Sequence, residues 1–310
     1  MDLTALPNPE TSGTYAETLT RLSGRFEHLL SRLCGLSVAD RVNIYQRFEW
    51  PAALPADAYW MSPPLTSLYG TPAWDELTEG QRRALSQRES IHFYSLNVHG
   101  ERELLTEVIS RIHTPGFEPL SEYLHHFVGE ENEHMWYFSR FCQQYGGGLY
   151  PDKRVPVRTF EDPLVERFIV FARIEIFEEI VDYFNARMAE DASLPPIVCA
   201  LNGAHHRDES RHVAFGRELV SGLHATIRRA RSPELLQELE TYLKRYMCSI
   251  LQSLYNPAVY RDAGLPQDPY ALRRSLLAHP ARKQRHQDML KRTLTAFVHE
   301  GIFQNSEVSI

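Results

Sequence analysis

The same short motif occurs twice in the chain, and it restricts the possible folds more than any other feature of the sequence. Each copy reads acid-Glu-x-x-His, at residues 130–134 and again at 208–212. On a helix, a glutamate and a histidine three residues apart lie on the same side, about one turn apart. Two such pairs facing each other across a helical bundle, with one further glutamate from each of two other helices, form the ligand set of a di-iron or di-manganese carboxylate centre.

The two further glutamates are sought on helix faces that carry apolar residues, where an unpaired acid would be costly. Glu101 lies on a face with tyrosine, valine and leucine residues, and Glu178 shares its face with Phe171, Ile174 and Val181. Glu101 precedes Glu131 by 30 residues and Glu178 precedes Glu209 by 31, which indicates an internal repeat. Glu89 or Glu107 remain alternatives to Glu101, and Glu175 remains an alternative to Glu178.

A third histidine, His205, precedes Glu209 by four residues and His212 by seven. These positions fall on one side of a helix, so all three side chains can point at one metal ion. The neighbouring His206 is an alternative, and a hydrogen-bonded core histidine without metal is another. The predicted ligands are four carboxylates and three histidines: Glu101, Glu131, His134, Glu178, His205, Glu209 and His212.

The acid before each motif glutamate has a predicted role as well. Asp208 and Glu130 lie about a hundred degrees around the helix from the glutamate that follows, so each can accept the outer N–H of a histidine on the facing helix. We expect Asp208 to pair with His134 and Glu130 with His212. Such pairs fix the histidine tautomer and raise its basicity as a ligand.

The remaining sequence predicts one all-α core, with the extended or helical region 1–55 preceding a ferritin-like di-metal domain at 56–310. Apolar residues recur at intervals of three and four, and strand signals are scarce. Glycine and proline residues mark the joints between elements. The predicted helices lie near 15–48, 77–112, 119–146, 162–190, 195–230 and 233–255, followed by a helical segment at 267–301.

Composition excludes several other classes of protein. With 33 basic and 40 acidic residues the net charge is −7, so no basic face for nucleic acid is expected. No run of eighteen apolar residues suggests a membrane span, and no secretory signal is visible. The four cysteines form no CxxC pair, which favours free thiols in a reducing cytoplasm. Zinc-protease, serine-hydrolase, P-loop and dinucleotide-binding motifs are missing from the sequence.

The motifs resemble those of the AurF-like p-aminobenzoate N-oxygenase family of di-iron arylamine oxygenases. The resemblance covers roughly residues 60–270. It rests on the segments 97–101 (NVHGE) and 130–134 (EENEH), and most specifically on His205-x-x-x-Glu209-x-x-His212. A weaker similarity lies at 256–265 (NPAVYRDAGL).

The resemblance implies a ferritin-like four-helix bundle with additional flanking helices, which assembles as a homodimer and holds two iron ions per chain. Manganese is an alternative metal, because carboxylate-rich sites accept it as well. The implied reaction is activation of O2 to oxidise an aromatic or related amine toward a hydroxylamine, nitroso or nitro product. Because no flavin or nicotinamide motif is present, the electrons are expected from a separate reductase or ferredoxin.

Two alternative functions remain open at this point. The same centre can support C–H hydroxylation or desaturation of another biosynthetic substrate. A non-catalytic ferritin-like iron protein is the other alternative, although 310 residues greatly exceed a minimal iron-storage bundle.

Overall fold

The structure is a computed structural model that describes residues 24–152, 155 and 157–308. All regular secondary structure in these residues is helical, which confirms the predicted all-α class. The α-helices are α1 (Gly24–Ala39), α2 (Ile44–Arg47), α3 (Pro72–Asp75), α4 (Glu79–Ile109), α5 (Ser121–Gly146), α6 (Pro163–Glu190), α7 (Pro196–Ala230), α8 (Pro233–Ser253), α9 (Pro257–Asp262), α10 (Pro269–Ala278) and α11 (Pro280–His299).

The four longest central helices form the core of the molecule. Helix α4 packs along α5, and α6 packs along α7, while α5–α7 and α4–α6 contacts join the two pairs. Large aromatic side chains fill the space between them, among them Tyr94, Phe138 and Phe171, all at most 2% exposed. This arrangement confirms the predicted four-helix-bundle core, with the other helices flanking it.

Local sequence signals set the ends of the long helices. Thr78 accepts a hydrogen bond from the Gln81 backbone N–H, and the Gln81 side chain accepts one from Thr78, which together cap the start of α4. At α6, the Asp162 side chain accepts from Leu164 N, and Pro163 occupies the first helical position. These caps satisfy N–H groups that have no partner within their own helix.

The prediction of a single helix near 15–48 is wrong for the part of that range that the structure describes. Helix α1 ends at Ala39, and a separate short helix begins after Asn43, whose side chain accepts from Tyr45 N. Asn43 has an extended backbone and caps the start of this short helix. Residues 15–23 lie outside the described residues. Phe26 of α1 stacks on Phe215 of α7 at 6.0 Å, so α1 shares the buried core. The division at residue 55 stays a prediction.

The predicted C-terminal segment 267–301 is two helices, α10 and α11, separated at Pro280. His279 has an extended backbone, and its ring accepts a hydrogen bond from Ala281 N at the start of α11. Proline has no N–H to continue the preceding helix and disfavours a helical residue before it. Among the helices of the described residues, none combines the length and apolar character needed to cross a lipid bilayer.

Candidate metal centre

The bundle brings all seven predicted ligand side chains into one buried cluster. Each is at most 2% exposed, and together they come from all four core helices. Helix α4 supplies one, α5 two, α6 one and α7 three: Glu101, Glu131, His134, Glu178, His205, Glu209 and His212. The sequence predicted this convergence from helical periodicity.

Two glutamates lie between two histidines at the centre of the cluster. His134 Nδ1 is 3.2 Å from Glu131 Oε2 and 3.5 Å from Glu209 Oε1. His212 Nδ1 is 2.8 Å from Glu131 Oε1 and 3.3 Å from Glu209 Oε2. Each carboxylate therefore reaches the inner nitrogen of both histidines, as expected of a ligand that bridges two cations.

The remaining ligand candidates surround this central set. His205 Nε2 lies 2.9 Å from Glu209 Oε1 and 3.4 Å from Glu101 Oε1. Glu178 joins His205 and Glu209 in a group whose ligand atoms are all within 4.8 Å of one another. Glu101, His134 and His205 form a second such group, and Glu131, His134 and Glu209 a third. Because the groups share members, they form one site with room for more than one cation.

The outer nitrogen of each motif histidine contacts the acid predicted for it. His134 Nε2 lies 3.1 Å from Asp208 Oδ2, and His212 Nε2 lies 2.8 Å from Glu130 Oε2. When these nitrogens carry the proton, each N–H donates to the carboxylate and Nδ1 keeps its lone pair for a cation. The contacts are present, and their effect on the tautomer remains a prediction.

Arg211 joins the two outer acids, a contact that the sequence reasoning missed. Its Nη2 donates to Glu130 Oε1 at 2.8 Å and to Asp208 Oδ1 at 2.6 Å. Its Nη1 donates to Asp40 Oδ2, just beyond the end of α1, at 2.8 Å. Arg211 follows Asp208 by three residues within the second motif, and this helical spacing could have indicated the contact between them.

Asn185 is a second contact that the sequence reasoning missed. Its amide nitrogen lies 2.5 Å from His205 Nδ1. For His205 Nε2 to bind a cation, Nδ1 must carry the proton, and the Asn185 amide would then have to be turned so that its oxygen accepts that proton's hydrogen bond. Asn185 follows Glu178 by seven residues, two turns along the same face of α6, so periodicity could have indicated it.

The alternative ligands considered from sequence lie elsewhere. Glu89 accepts hydrogen bonds from the backbone and side chain of Ser67, and Glu107 pairs with Arg111 on a half-exposed surface. Glu175 is not in the cluster and lies 3.6 Å from an arginine of α7. The His206 ring turns away, with Nδ1 2.5 Å from Asp182 Oδ1 and the side chain 39% exposed.

Burial and mutual contact shift the proton affinities of the cluster. Burial raises the pKa of Glu101 to about 7 and that of Glu178 well above its usual range. Although burial opposes a charge on His134, hydrogen bonds to Asp208 and Glu131 raise its pKa well above the ordinary value. Burial likewise opposes a charge on Glu209, yet His212 and His205 hold its pKa well below the ordinary value.

The unpaired atoms of the cluster fit metal ions. Both carboxylate oxygens of Glu101, Glu178 and Glu209 are buried and make no well-aligned hydrogen bond. The same holds for one oxygen of Glu131, for His205 Nε2 and for His212 Nδ1, whose close contacts are only with other members of the cluster. Buried polar atoms without partners are costly. Four carboxylates carry four negative charges, which two divalent cations neutralise, and carboxylate and imidazole ligands suit iron and manganese.

A cavity of about 80 Å³ lies between α4, α6 and α8, and none of the seven cluster side chains lines it. Gly100 and Phe177 in its wall are the sequence neighbours of Glu101 and Glu178. Leu104 and Ile174, also in the wall, lie about one helical turn from the same two glutamates. The Phe177 ring lies directly against Gly100, where a Cβ would overlap it. The cavity therefore reaches the level of the cluster along the bundle.

With the geometry known, comparison with known proteins identifies the family. The family model described as P-aminobenzoate N-oxygenase AurF matches residues 25–301, almost the whole chain. The chain belongs to the AurF family. It is accordingly an oxidoreductase of the oxygenase type that uses O2 and a small-molecule substrate, and the predicted di-iron cofactor agrees both with the AurF family and with the buried cluster.

Two solved structures were also matched. Both are mutants of the R2-like ligand-binding oxidase with aerobically reconstituted Mn/Fe cofactor, one a valine-to-isoleucine and the other a glutamate-to-aspartate change. The first is 13% identical to this chain and the second 14% identical, and both have a TM-score of 0.43. Each match covers 87% of this chain, together with 95% of the first solved chain and 94% of the second. No curated protein matches the chain.

Proposed function

We propose that this AurF-family chain N-oxidises an aromatic or related amine at a di-iron centre held by the seven buried side chains. The observation that carries the proposal is the convergence of four carboxylates and three histidines from four helices in a chain that matches the AurF family model over residues 25–301. When bound, a pair of iron ions supplies the electrons that reduce O2. The residues of the chain hold that pair and control what reaches it.

Glu131 and Glu209 would hold the metal pair together with His134 and His212, because each carboxylate contacts the inner nitrogens of both histidines. Glu101 and Glu178 approach from α4 and α6. A carboxylate can change between bridging and terminal binding, whereas a histidine with a fixed ring stays in place. The outer acids Asp208 and Glu130 would hold those rings and keep the outer proton.

The proposed substrate site is the cavity beside Gly100 and Phe177. Apolar side chains such as Leu104 and Ile174 give it the character expected for an aromatic ring and limit the access of water. Arg173 also lines the cavity, with its Nε buried and without a hydrogen-bond partner, and its guanidinium packs over the Tyr246 ring. No ion pair engages Arg173 within the described residues, so it fits an acidic substituent on the amine.

The electron donor is a proposal as well. The sequence carries no flavin or nicotinamide motif, and its four cysteines are free thiols. We propose that a separate reductase or ferredoxin delivers electrons, and that the chain forms a homodimer as its family resemblance implies.

The test uses iron-loaded protein, a chemical reductant, ¹⁸O₂ and arylamines with and without a carboxylate group. Mass spectrometry should find the label on nitrogen, and Glu178→Gln should reduce product together with iron content. Arg173→Leu should weaken use of the carboxylated amine and leave the uncharged amine unaffected. Label found only on carbon would overturn N-oxidation in favour of hydroxylation, and O2 consumption that no amine accelerates would favour an iron-storage protein.

A further inference from the structure

A second group of metal-binding side chains lies outside the bundle interior, where α1 crosses α5. Cys34 of α1 and Glu122 and His126 of α5 each offer one ligand atom, and these atoms all lie within 4.8 Å of one another. Glu122 and His126 are four residues apart, so both face α1 from the same side of α5. The group is separate from the buried cluster and shares no residue with it.

The chemistry of the three side chains favours zinc. A thiolate, an imidazole and a carboxylate are the donor types of tetrahedral zinc sites, and three protein ligands leave the fourth position for water. Within the residues that the structure describes, no hydrogen bond or ion pair to another side chain occupies the Glu122 carboxylate or the His126 ring. Both therefore remain available to a cation.

The local electrostatics keep the Cys34 thiol protonated until a cation binds. Burial and the nearby Glu122 and Glu130 carboxylates raise the pKa of Cys34, so the metal-free thiol keeps its proton at neutral pH. A bound divalent cation would reverse this balance, because it stabilises the thiolate and pairs with the carboxylate. Cys34 and His126 are half-buried and Glu122 is exposed, and all three line a surface cavity that a cation can enter from solvent.

We propose that Cys34, Glu122 and His126 bind one zinc ion that fastens α1 to α5. The ion would be a third metal, distinct from the pair in the bundle. Helix α1 leads directly into Asp40, which accepts a hydrogen bond from Arg211, and Arg211 in turn holds Glu130 and Asp208. Fastening α1 would therefore keep Asp40 in place beside the outer acids of the buried centre.

The first test is a cobalt titration of the full chain. Cobalt bound to a thiolate gives an intense near-ultraviolet charge-transfer band, which the carboxylate and histidine ligands of the buried centre cannot produce. We expect one equivalent of this band in the native chain and displacement of the cobalt by zinc. Cys34→Ser should abolish the band, and Cys248→Ser, a change at another half-buried cysteine, should leave it unchanged.

His126→Gln provides a second variant that retains the thiol. Loss of a direct ligand should weaken zinc binding by at least about tenfold. Loss of a residue that only hydrogen-bonds to a metal ligand already costs about that much. His125→Gln is the matched control, because His125 is exposed and contacts His113 instead. A cobalt–thiolate band that persists in Cys34→Ser, or equal zinc affinity in His126→Gln, would overturn the site.

The fastening role has its own readout in amide hydrogen exchange. Zinc should slow exchange in residues 24–39 of the native chain and have no such effect in Cys34→Ser. Circular dichroism of both proteins would verify that the variant is folded. Zinc binding without any change in exchange over α1 would show that the ion does not fasten the helix, and would overturn that part of the proposal.

Discussion

Glu130 and His212 meet across the bundle, with Glu130 Oε2 lying 2.8 Å from His212 Nε2. The other oxygen of Glu130 accepts a hydrogen bond from Arg211, also at 2.8 Å. The carboxylate is thereby held from one side and receives the histidine N–H on the other. His212 Nδ1 faces Glu131 and Glu209, so with the proton on Nε2 its lone pair would be available to a cation.

Removing the charge of an outer acid should weaken metal binding without unfolding the protein. We expect Glu130→Gln and Asp208→Asn each to lower iron affinity by about 10–100-fold, because each histidine loses the partner that fixes its tautomer. Competition with a chelator, read by metal analysis, would measure the change. Glu133→Gln is the control, since Glu133 lies on α5 between two cluster residues but makes no ion pair among the described residues. Unchanged iron affinity in both variants would argue against the outer acids.

Gly100→Ala should destabilise the fold through a clash with Phe177. A Cβ at position 100 would overlap the Phe177 ring, and overpacking of this kind costs about 1–3 kcal/mol. Adding Phe177→Ala should remove the clash, so the two changes should be non-additive in denaturant unfolding. Gly129→Ala is the control, because its Cβ would meet nothing within 4 Å and should leave stability equal or higher. Additive losses would contradict the contact.

Metal loading should release protons. Burial raises the pKa of Glu101 to about 7, and although burial opposes it, Glu209 and other carboxylates raise the pKa of His205 to about 9. Both groups thus hold protons near neutral pH without metal and must lose them to bind it, so affinity should increase as pH increases from 6 to 9. Titration calorimetry in two buffers of different ionisation enthalpy would count the protons. A buffer-independent enthalpy would contradict the expectation.

His286 should make stability depend on pH below neutrality. Burial and the nearby Arg282 and Arg285 lower its pKa from 6.5 to about 4. The unfolded chain therefore takes up this proton before the folded one, and the stability present above pH 6.5 is lost as pH decreases toward 4. His286→Gln should show a smaller loss over that range in urea unfolding. Parallel pH profiles for the two proteins would show that His286 does not titrate in this way.

The long helices and the choice of inward-facing residues were predictable from local pattern. Glu101 was preferred over Glu107, and Glu178 over Glu175, because their helical neighbours are apolar, and the structure places the preferred residue of each pair in the cluster. Helix breaks were harder to predict. The helices are interrupted before Asn43 and at Pro280 because single residues cap the next helix there. A periodicity of three and four in the apolar residues does not indicate such caps.

The sequence alone determined an all-helical bundle, because the spacing of apolar residues and of the two acid-Glu-x-x-His motifs is a property of each helix by itself. It also determined which side chains face inward, and through them the family. The contacts between helices that no motif indicated were decided only by tertiary packing. Asn185 meets His205, and Asp40 meets Arg211 across 171 positions of sequence, because the positions at which helices cross depend on the shapes of all the packed side chains together.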